Sequence, residues 1–388
     1  MLIQFHLLQN YQPSNLNRDD TGSPKDAIFG GVLRGRISSQ CLKRSIRRSD
    51  TFKSFDDESL LGKRTQMLPT LVGAKLSEMG VDEKTVAAIL SRLPDIVKGK
   101  TKAERGEGGE EETDDAAGES EEAATTEDTK QLVFLDVKTE LATFAERLNE
   151  AYREIGASKW SKAKLSEINK YLGESLPRSV DIAMFGRMTT SQAFRNVQAS
   201  VQVAHALSTN SLKQEFDYYT AMDDLKPDSE PGADMIGDVE YNSCTYYKYF
   251  NVHWDELIDK DHLSGDKEVA RRAVLALLEA AAMAHPTGKQ NSFGAFNLPD
   301  FVLVEVSDRN LPVSYANAFL KPAYGTSNQS LLTNSVKQMS DYVARLSKVY
   351  GLNPQRAFIA VDDELNFLDL KARGSLDDLK KWLEPQLV

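Results

Sequence analysis

Short apolar runs bounded by turn-forming residues mark the strands of this chain. The first run, residues 2–8, ends before Asn10 and Pro13, and a run of this length predicts a buried strand rather than a helix. Residues 239–253 alternate and are rich in β-branched and aromatic side chains, which strands favour. Further strands are predicted within 180–188, 197–207 and 291–308.

Helical spacing of apolar residues dominates most of the remaining chain. Residues 57–98 predict two helices separated near Gly80, and residues 138–173 predict two more with a break near Gly156. Later helices are predicted near 267–285, 312–321, 328–349 and 375–384. Strands separated by helices, with both chain ends contributing, predict an α+β fold. A P-loop is not predicted, because Met283 stands where that motif requires its upstream glycine.

Acidic charge is concentrated in one window of the sequence. Residues 104–128 hold twelve acidic residues and one arginine, a net charge of −11, which equals the formal charge of the whole chain. The window contains almost no apolar side chains, so we expect a disordered insert over 101–130. Because the remaining chain is close to neutral, the overall acidity does not argue against a polyanionic partner.

Composition also narrows the class of protein. Cys41 and Cys244 are too few for a disulfide framework, which favours a reducing, cytoplasmic location. No signal peptide is expected, because the start MLIQFHLLQN lacks a basic segment followed by a long apolar core. No membrane span is expected, because the apolar stretch at 273–284 is short and is broken by Glu279. The five histidines are scattered without metal-binding spacing, so no metal or other cofactor is predicted.

The segment 34–49 is the sharpest local signal, with six basic residues and no acidic one. Ser38 and Ser39 predict a helix cap, and the spacing of the following residues predicts a helix. Its apolar face would hold Leu42 and Ile46, and its polar face would hold Gln40, Lys43, Arg44, Arg47 and Arg48. Such a face can follow nucleic-acid phosphates without contacting bases. The alternative is a solvated amphipathic helix whose late cations complement the helix dipole.

The loop before this helix supports a binding role. Residues 14–31 bring Arg18 and Lys25 close to the helix in sequence, and their glycines permit close approach of a ligand to the backbone. SNLNRDD, PKDAIFGG and RISSQ-x-LKR resemble the signature of the CasC family of the RAMP superfamily, the backbone subunit of the type I-E CRISPR Cascade complex. VDIAMFGRM, VAHALSTN, YTAMDDL and GKQNSFGAFNLPDFV are similar to later motifs of that family, so the resemblance covers most of the chain.

The resemblance implies a right-hand-shaped protein that repeats along a guide RNA. Its fold would be a modified RNA-recognition-like (ferredoxin-like) palm with helical fingers and a thumb hairpin. The palm would comprise residues 1–56, 180–205 and 238–388, the fingers 57–179, and the thumb 206–237. The implied partners are the guide RNA, target DNA paired to that guide, further copies of the chain and other Cascade subunits. The implied role is non-catalytic.

Site residues follow from the charge pattern and from the matched motifs together. The charge pattern of segment 34–49 includes Arg34 and Arg36. The resemblance implies that the guide's phosphates meet Arg18, Lys25, Ser38, Gln40, Lys43, Arg44, Arg47, Lys289 and Gln290, and that Met188 abuts a displaced nucleotide. Weaker candidates in the thumb are Leu207, Thr209, Tyr219 and Thr220.

Several alternatives remain open at this point. Met188 could pack in the core instead, because methionine is a common gap-filler. The tyrosines of 239–253 invite comparison with base-stacking platforms, but core packing is the preferred interpretation. Asp19 and Asp20 could make the chain a metal-dependent ribonuclease, although adjacent carboxylates in a loop more often cap a turn. Alternatively, the acidic tract could bind a basic protein partner.

Overall fold

The computed structural model describes residues 1–98, 132–173, 177–189, 191, 193–222 and 233–388, with only the main chain described at 221, 222 and 233–236. The predicted acidic insert, 101–130, lies outside these residues. Contacts divide the chain into two compact units. Unit 1 comprises Met1–Phe52, Val201–Trp254 and Val274–Val388, and unit 2 comprises Lys53–Ser200 and Asp255–Ala273.

Unit 1 is built on an antiparallel sheet, in which the described residues contribute nine strands. The path runs β11-β10-β1-β9-β7-β3-β2, while β6 and β8 also pair with β9. The strands are β1 (Leu2–Ser14), β2 (Asp26–Phe29), β3 (Val32–Ile37), β6 (Val201–Val203), β7 (Ala206–Ser208), β8 (Glu215–Met222), β9 (Ala233–His253), β10 (Phe301–Ser307) and β11 (Gln355–Ala360).

The centre of the sheet explains the continuous apolar run at the start of the chain. In β1, Phe5 lies opposite Phe250 of β9 on one side and Val304 of β10 on the other. A strand flanked by two others, with both faces covered, buries every side chain, and residues 2–8 are all buried. The predictions of a buried first strand and of an α+β fold are therefore confirmed.

Helices cover both faces of this sheet. Tyr247 and Tyr249 pack with Val336 and Met339, whereas Lys248 between them faces the opposite side. The buried tyrosines confirm core packing and exclude the base-stacking platform. The helices of unit 1 are α1 (Ser39–Arg47), α11 (Gln290–Phe293), α12 (Leu331–Tyr350) and α13 (Leu376–Leu383), with 3-10 turns at Ala316–Phe319 and Glu384–Gln386.

Unit 2 is mainly helical. Its core is formed by apolar side chains such as Leu76, Leu93, Phe144 and Leu148 from three of the helices. The helices are α3 (Leu68–Glu78), α4 (Glu83–Val97), α5 (Glu140–Ile155), α6 (Ala157–Trp160), α7 (Leu165–Leu172) and α8 (Val180–Phe185), and the strands are β4 (Lys63–Thr65) and β5 (Val133–Leu135). Three further helices each contain residues of both units: α2 (Asp50–Asp57), α9 (Trp254–Leu257) and α10 (Lys267–Met283).

The strand predicted over 180–188 is wrong, because residues Val180–Phe185 form α8. Buried runs this short fit a strand and a helix equally well by pattern alone. The deciding contacts are long-range: the Val180 amide donates to the Leu60 carbonyl (2.7 Å), and the Asp181 carboxylate accepts from the Gly62 amide (2.8 Å). Across the described ranges, none of the helices combines the length and the apolar character required to cross a membrane.

Candidate nucleic-acid interface

Helix α1 presents the predicted polar face. Leu42 and Ile46 are buried beneath it, Lys43 is half-buried and Arg44 is exposed. Ser38 has extended backbone, and its hydroxyl accepts from the Cys41 amide (3.2 Å), as an N-cap residue does. Gln40 and Arg47 are also half-buried on this helix. The predicted helix, cap and apolar face are therefore present.

Two residues that sequence patterns did not single out hold the start of α1. The Asn17 side chain accepts from the Ser38 amide (2.8 Å), and Nδ1 of His205 accepts from the Ser39 amide (3.3 Å). The Asn17 carbonyl also accepts from the Lys25 amide (2.8 Å). These bonds join α1 to the preceding loop, and their partners are too far apart in sequence to be identified from local patterns.

Asp19 organises the loop that carries Arg18. Its Oδ1 accepts from the Thr21 amide (2.9 Å), the Thr21 hydroxyl (2.8 Å) and the Ser23 amide (3.0 Å). These hydrogen bonds, the Thr21 side chain foremost, lower the pKa of Asp19. Arg18 and Asp20 are exposed beside this turn. The geometry of Asp19 is that of a turn-capping carboxylate. Within the described part of the chain, His, Cys, Asp and Glu side chains form no cluster of three or more that could hold a metal ion.

The loop at 286–290 packs against the same N-terminal loop. A Cβ placed on Gly288 would meet the carbonyl oxygens of Asn15 and Leu16, so only glycine allows this approach. Lys289 follows in a left-handed conformation (φ 49°) and is half-buried. Gln290 uses its amide nitrogen within its own loop, donating to the carbonyls of Pro286 (3.0 Å) and Ala295 (3.0 Å). The predicted site residues Lys289 and Gln290 thus belong to a loop fixed against residues 15–16.

This close approach gives a stability prediction. We expect Gly288→Ala to destabilise the protein by about 1–3 kcal/mol, because the added methyl group overlaps main-chain atoms that cannot move independently. Urea unfolding measures the loss. Gly325→Ala is the matched control, since its added Cβ would meet nothing closer than the Leu331 amide nitrogen at 3.4 Å. Equal midpoints for the two variants would contradict the packing described here.

Arg34 and Arg36 have different environments although both lie on β3. Arg36 is half-buried, and its guanidinium donates to the Asp26 carbonyl (3.0 Å). Arg34 is fully buried, and its guanidinium is bonded to main-chain carbonyls. The prediction that Arg34 binds phosphate is therefore wrong. Its burial results from contacts with residues far away in sequence.

Met188 of unit 2 is 77% exposed, which excludes the core-packing alternative. The exposure has a local cause. Arg187 is buried and forms a two-point ion pair with Glu140 (2.6 and 2.8 Å), and its main chain bridges to Val197. Successive side chains of extended backbone point to opposite sides, so Met188 faces solvent. An exposed methionine on an anchored backbone is suited to an apolar contact with a ligand.

Strands β8 and β9 pair as an antiparallel hairpin, which overlaps the thumb expected over 206–237. At its start, Leu207 is half-buried in β7, and Thr209 is buried with its hydroxyl bonded to Ser335 (2.9 Å). The assignment of Thr209 as a binding residue is therefore wrong. Tyr219 and Thr220 are exposed. Phe216 (61%) and Tyr218 (65%) are more exposed than Tyr219 (45%). They share one face of β8, which strand alternation could have identified.

Beneath α1, the sheet buries an unpaired cation. Lys248 is fully buried, and its Nζ lies 5.7 Å from the ring centroid of Tyr11 without a hydrogen-bond acceptor among the described residues. Burial lowers the pKa of Lys248 to about 7, and the nearby thiol of Cys41 partly opposes this shift. His285 lies on the same side, and its pKa is lowered to about 4 by burial and by Lys248.

This cation predicts a pH dependence of stability. Between about pH 7 and pH 8 the unfolded chain keeps a proton on Lys248 that the folded protein has released, so stability rises with pH. The thiols of Cys41 and Cys244 stay protonated in the folded protein over this range, because burial raises the pKa of each to about 11, and the thiols of the unfolded chain ionise mainly above about pH 8. We expect Lys248→Met to flatten the increase in urea midpoint over this range. An unchanged slope in the variant would contradict the assignment.

Comparisons with known proteins are consistent with this geometry. A family model described as "CT1975-like protein" matches residues 3–382. One solved structure, a chain of a "CRISPR RNA-guided surveillance complex, pre-nicking", is 27% identical, with a TM-score of 0.74 and 100% coverage of both chains. A chain of a "CRISPR RNA-guided surveillance complex" is 22% identical, with a TM-score of 0.60 and the same coverage, which shows a shared fold. A search of curated proteins found no match.

Proposed function

Because the chain belongs to the CT1975-like protein family, we propose that it is a repeated backbone subunit of a CRISPR surveillance complex of type I-E. In this role it binds the sugar-phosphate backbone of the guide RNA and leaves the bases free to pair with target DNA. The structural similarity over the full length of a chain from an RNA-guided surveillance complex supports the proposal. The other partners would be further copies of the chain and the remaining subunits of the complex.

One observation carries the RNA-binding part of the proposal. Cations of α1, its preceding loop and the loop at 286–290 belong to segments that unit 1 fixes to one another. The proposed phosphate contacts are Arg18, Lys25, Arg36, Lys43, Arg44, Arg47 and Lys289, with Ser38 and Gln40 as polar contacts. Cations on fixed backbone contact phosphates regardless of base identity, as a guide of variable sequence requires. Gln290 is a weaker candidate, because its amide nitrogen donates to the carbonyls of Pro286 and Ala295, and its buried oxygen cannot donate a hydrogen bond to a phosphate.

The proposed roles of the hairpin and of the helical unit follow the palm, fingers and thumb layout that the family resemblance implies. We assign residues 1–56, 180–205 and 238–388 to the palm, 57–179 to the fingers and 206–237 to the thumb. Unit 1 holds most of this palm, and unit 2 holds the fingers. Met188 would abut a displaced nucleotide, because an exposed thioether can fill the gap that an unstacked base leaves. Phe216 and Tyr218 are better thumb candidates than Thr209 or Leu207, because their rings are exposed.

We propose a non-catalytic role. The competing ribonuclease would need the carboxylates of Asp19 and Asp20 to hold a divalent metal, but Asp19 is bonded to Thr21 and Ser23 within its own turn. Incubation of labelled RNA with the protein and Mg²⁺ or Mn²⁺ distinguishes the two functions. Cleavage that is lost in Asp19→Asn together with Asp20→Asn would favour the ribonuclease.

Copurification tests the main proposal. The complex isolated from its source should contain RNA of uniform length, and the purified chain should bind single-stranded RNA without sequence preference. Because several of the seven proposed cations can share one phosphate, we take about four phosphates as neutralised, which predicts a slope of about −3 when log affinity is plotted against log salt concentration. Absence of copurified RNA together with a slope near zero would contradict the proposal.

A further inference from the structure

Arg34 makes an unusual set of contacts for a buried arginine. Its acceptors are main-chain carbonyl oxygens in two separate segments of unit 1. Nη1 donates to Ser208 (3.1 Å), Thr209 (2.7 Å) and Asn210 (3.3 Å), and Nη2 donates to Phe319 (2.7 Å) and Leu320 (3.4 Å). A planar guanidinium with fixed donor directions is suited to hold two segments at once.

The first segment is the root of the β8–β9 hairpin, which we define as Ser208–Leu212. The neighbours of Arg34 on β3 hold the same root. The Gly35 amide donates to the Ser208 hydroxyl (3.0 Å), and the Leu212 amide donates to the Leu33 carbonyl (2.9 Å). Three consecutive residues of β3 therefore fix the hairpin root, and Arg34 alone also reaches the 3-10 turn at Ala316–Phe319.

The strand that carries Arg34 leads directly into α1. β3 ends at Ile37, and Ser38 caps α1. The position of the hairpin root relative to α1 therefore depends on contacts made by β3. Burying a charged side chain is costly unless its hydrogen bonds are made, so the native arrangement of both segments around Arg34 is strongly preferred over alternatives.

We propose that Arg34 is a positioning residue, which fixes the hairpin root relative to α1. It thereby sets which part of the guide RNA the hairpin contacts. This inference rests on the proposed function, because it assumes that α1 contacts the RNA. Arg34 itself does not touch the RNA. Its loss should change the regularity of RNA protection rather than the strength of phosphate binding.

Arg34→Lys tests this proposal, because lysine keeps the charge but cannot span both sets of carbonyls from one ammonium group. Ribonuclease footprinting of guide RNA in the assembled complex should show regular protection for the wild type. For Arg34→Lys we expect the contrast between protected and cleaved positions to fall by at least about twofold, with RNA affinity within about threefold of the wild type. Arg44→Ala is the matched comparison, which should lower affinity and keep the regular pattern.

Hydrogen exchange on the isolated protein tests the structural part without RNA. The Thr209 amide donates to Thr245 (2.8 Å) and the Leu212 amide to Leu33. Both should exchange about tenfold faster in Arg34→Lys, whereas amides between β1 and β10 stay unchanged. Unchanged exchange and an unchanged footprint would overturn the proposal, as would lower affinity with a regular footprint. A wild type that binds no RNA would instead overturn the proposed function. The exchange rates of these two amides would still show whether Arg34 holds the hairpin root.

Discussion

Removing two cations from α1, by Lys43→Ala together with Arg44→Ala, is expected to lower affinity for single-stranded RNA by about 10- to 100-fold. Each charge-assisted contact with a phosphate contributes about 1.4 kcal/mol or somewhat less at an exposed position. The slope of log affinity against log salt concentration should become shallower by about 1.4, because two fewer phosphates are neutralised on a single strand. Filter binding over a salt series measures both quantities.

The matched control removes the same two residue types from α12. Arg345 and Lys348 are exposed on that helix, whose residues Val336 and Met339 pack on the tyrosine face of the sheet, opposite Lys248. Arg345→Ala with Lys348→Ala therefore removes equal charge from elsewhere on unit 1. We expect its affinity to stay within about threefold of the wild type, because only distant, screened charges change. Equal losses in both double variants would show that overall charge, and not the α1 surface, determines binding.

The largest expected effect on stability is at the ion pair of Arg187 and Glu140. Both side chains are buried, with exposed fractions of 1% and 0%. Arg187→Met leaves a buried carboxylate without its partner, so we expect a loss of about 3–5 kcal/mol in the free energy of unfolding of unit 2. Urea unfolding followed by a signal from Trp160, which is buried in that unit, measures the loss.

Two comparison variants separate the ion pair from general damage. Adding Glu140→Leu to Arg187→Met removes both charges and should recover most of the loss, because no uncompensated charge remains. The exposed pair of Lys63 and Asp56 provides the second comparison, and Lys63→Met should cost at most about 1 kcal/mol. If Arg187→Met cost no more than Lys63→Met, the buried pair would have no special role in stability.

Local patterns predicted those features whose causes are local. The cap at Ser38 and the apolar spacing of Leu42 and Ile46 lie within three turns of one helix, so α1 could be placed correctly. The strand character of 239–253 likewise follows from alternating residues, and β9 contains it. The thumb hairpin over 206–237 was expected from the resemblance, and β8 pairs with β9 there.

The errors have a common physical origin in long-range contacts. Arg34 was assigned to the binding surface from charge alone, but its acceptors lie in segments around 208–210 and 319–320. Thr209 is buried for a similar reason, through Ser335. Residues 180–185 are helical because of bonds to Leu60 and Gly62. None of these partners can be identified without knowing how the chain folds back on itself.

A double-mutant cycle between protein and RNA tests the central claim most directly. The bound RNA would carry one uncharged methylphosphonate at successive positions, and affinity would be measured for the wild type and for Arg44→Ala. We predict one phosphate at which neutralisation weakens the wild type by about tenfold but weakens Arg44→Ala much less, because the contact is already lost. Additive losses at every phosphate would contradict the claim that α1 binds the backbone of the guide RNA.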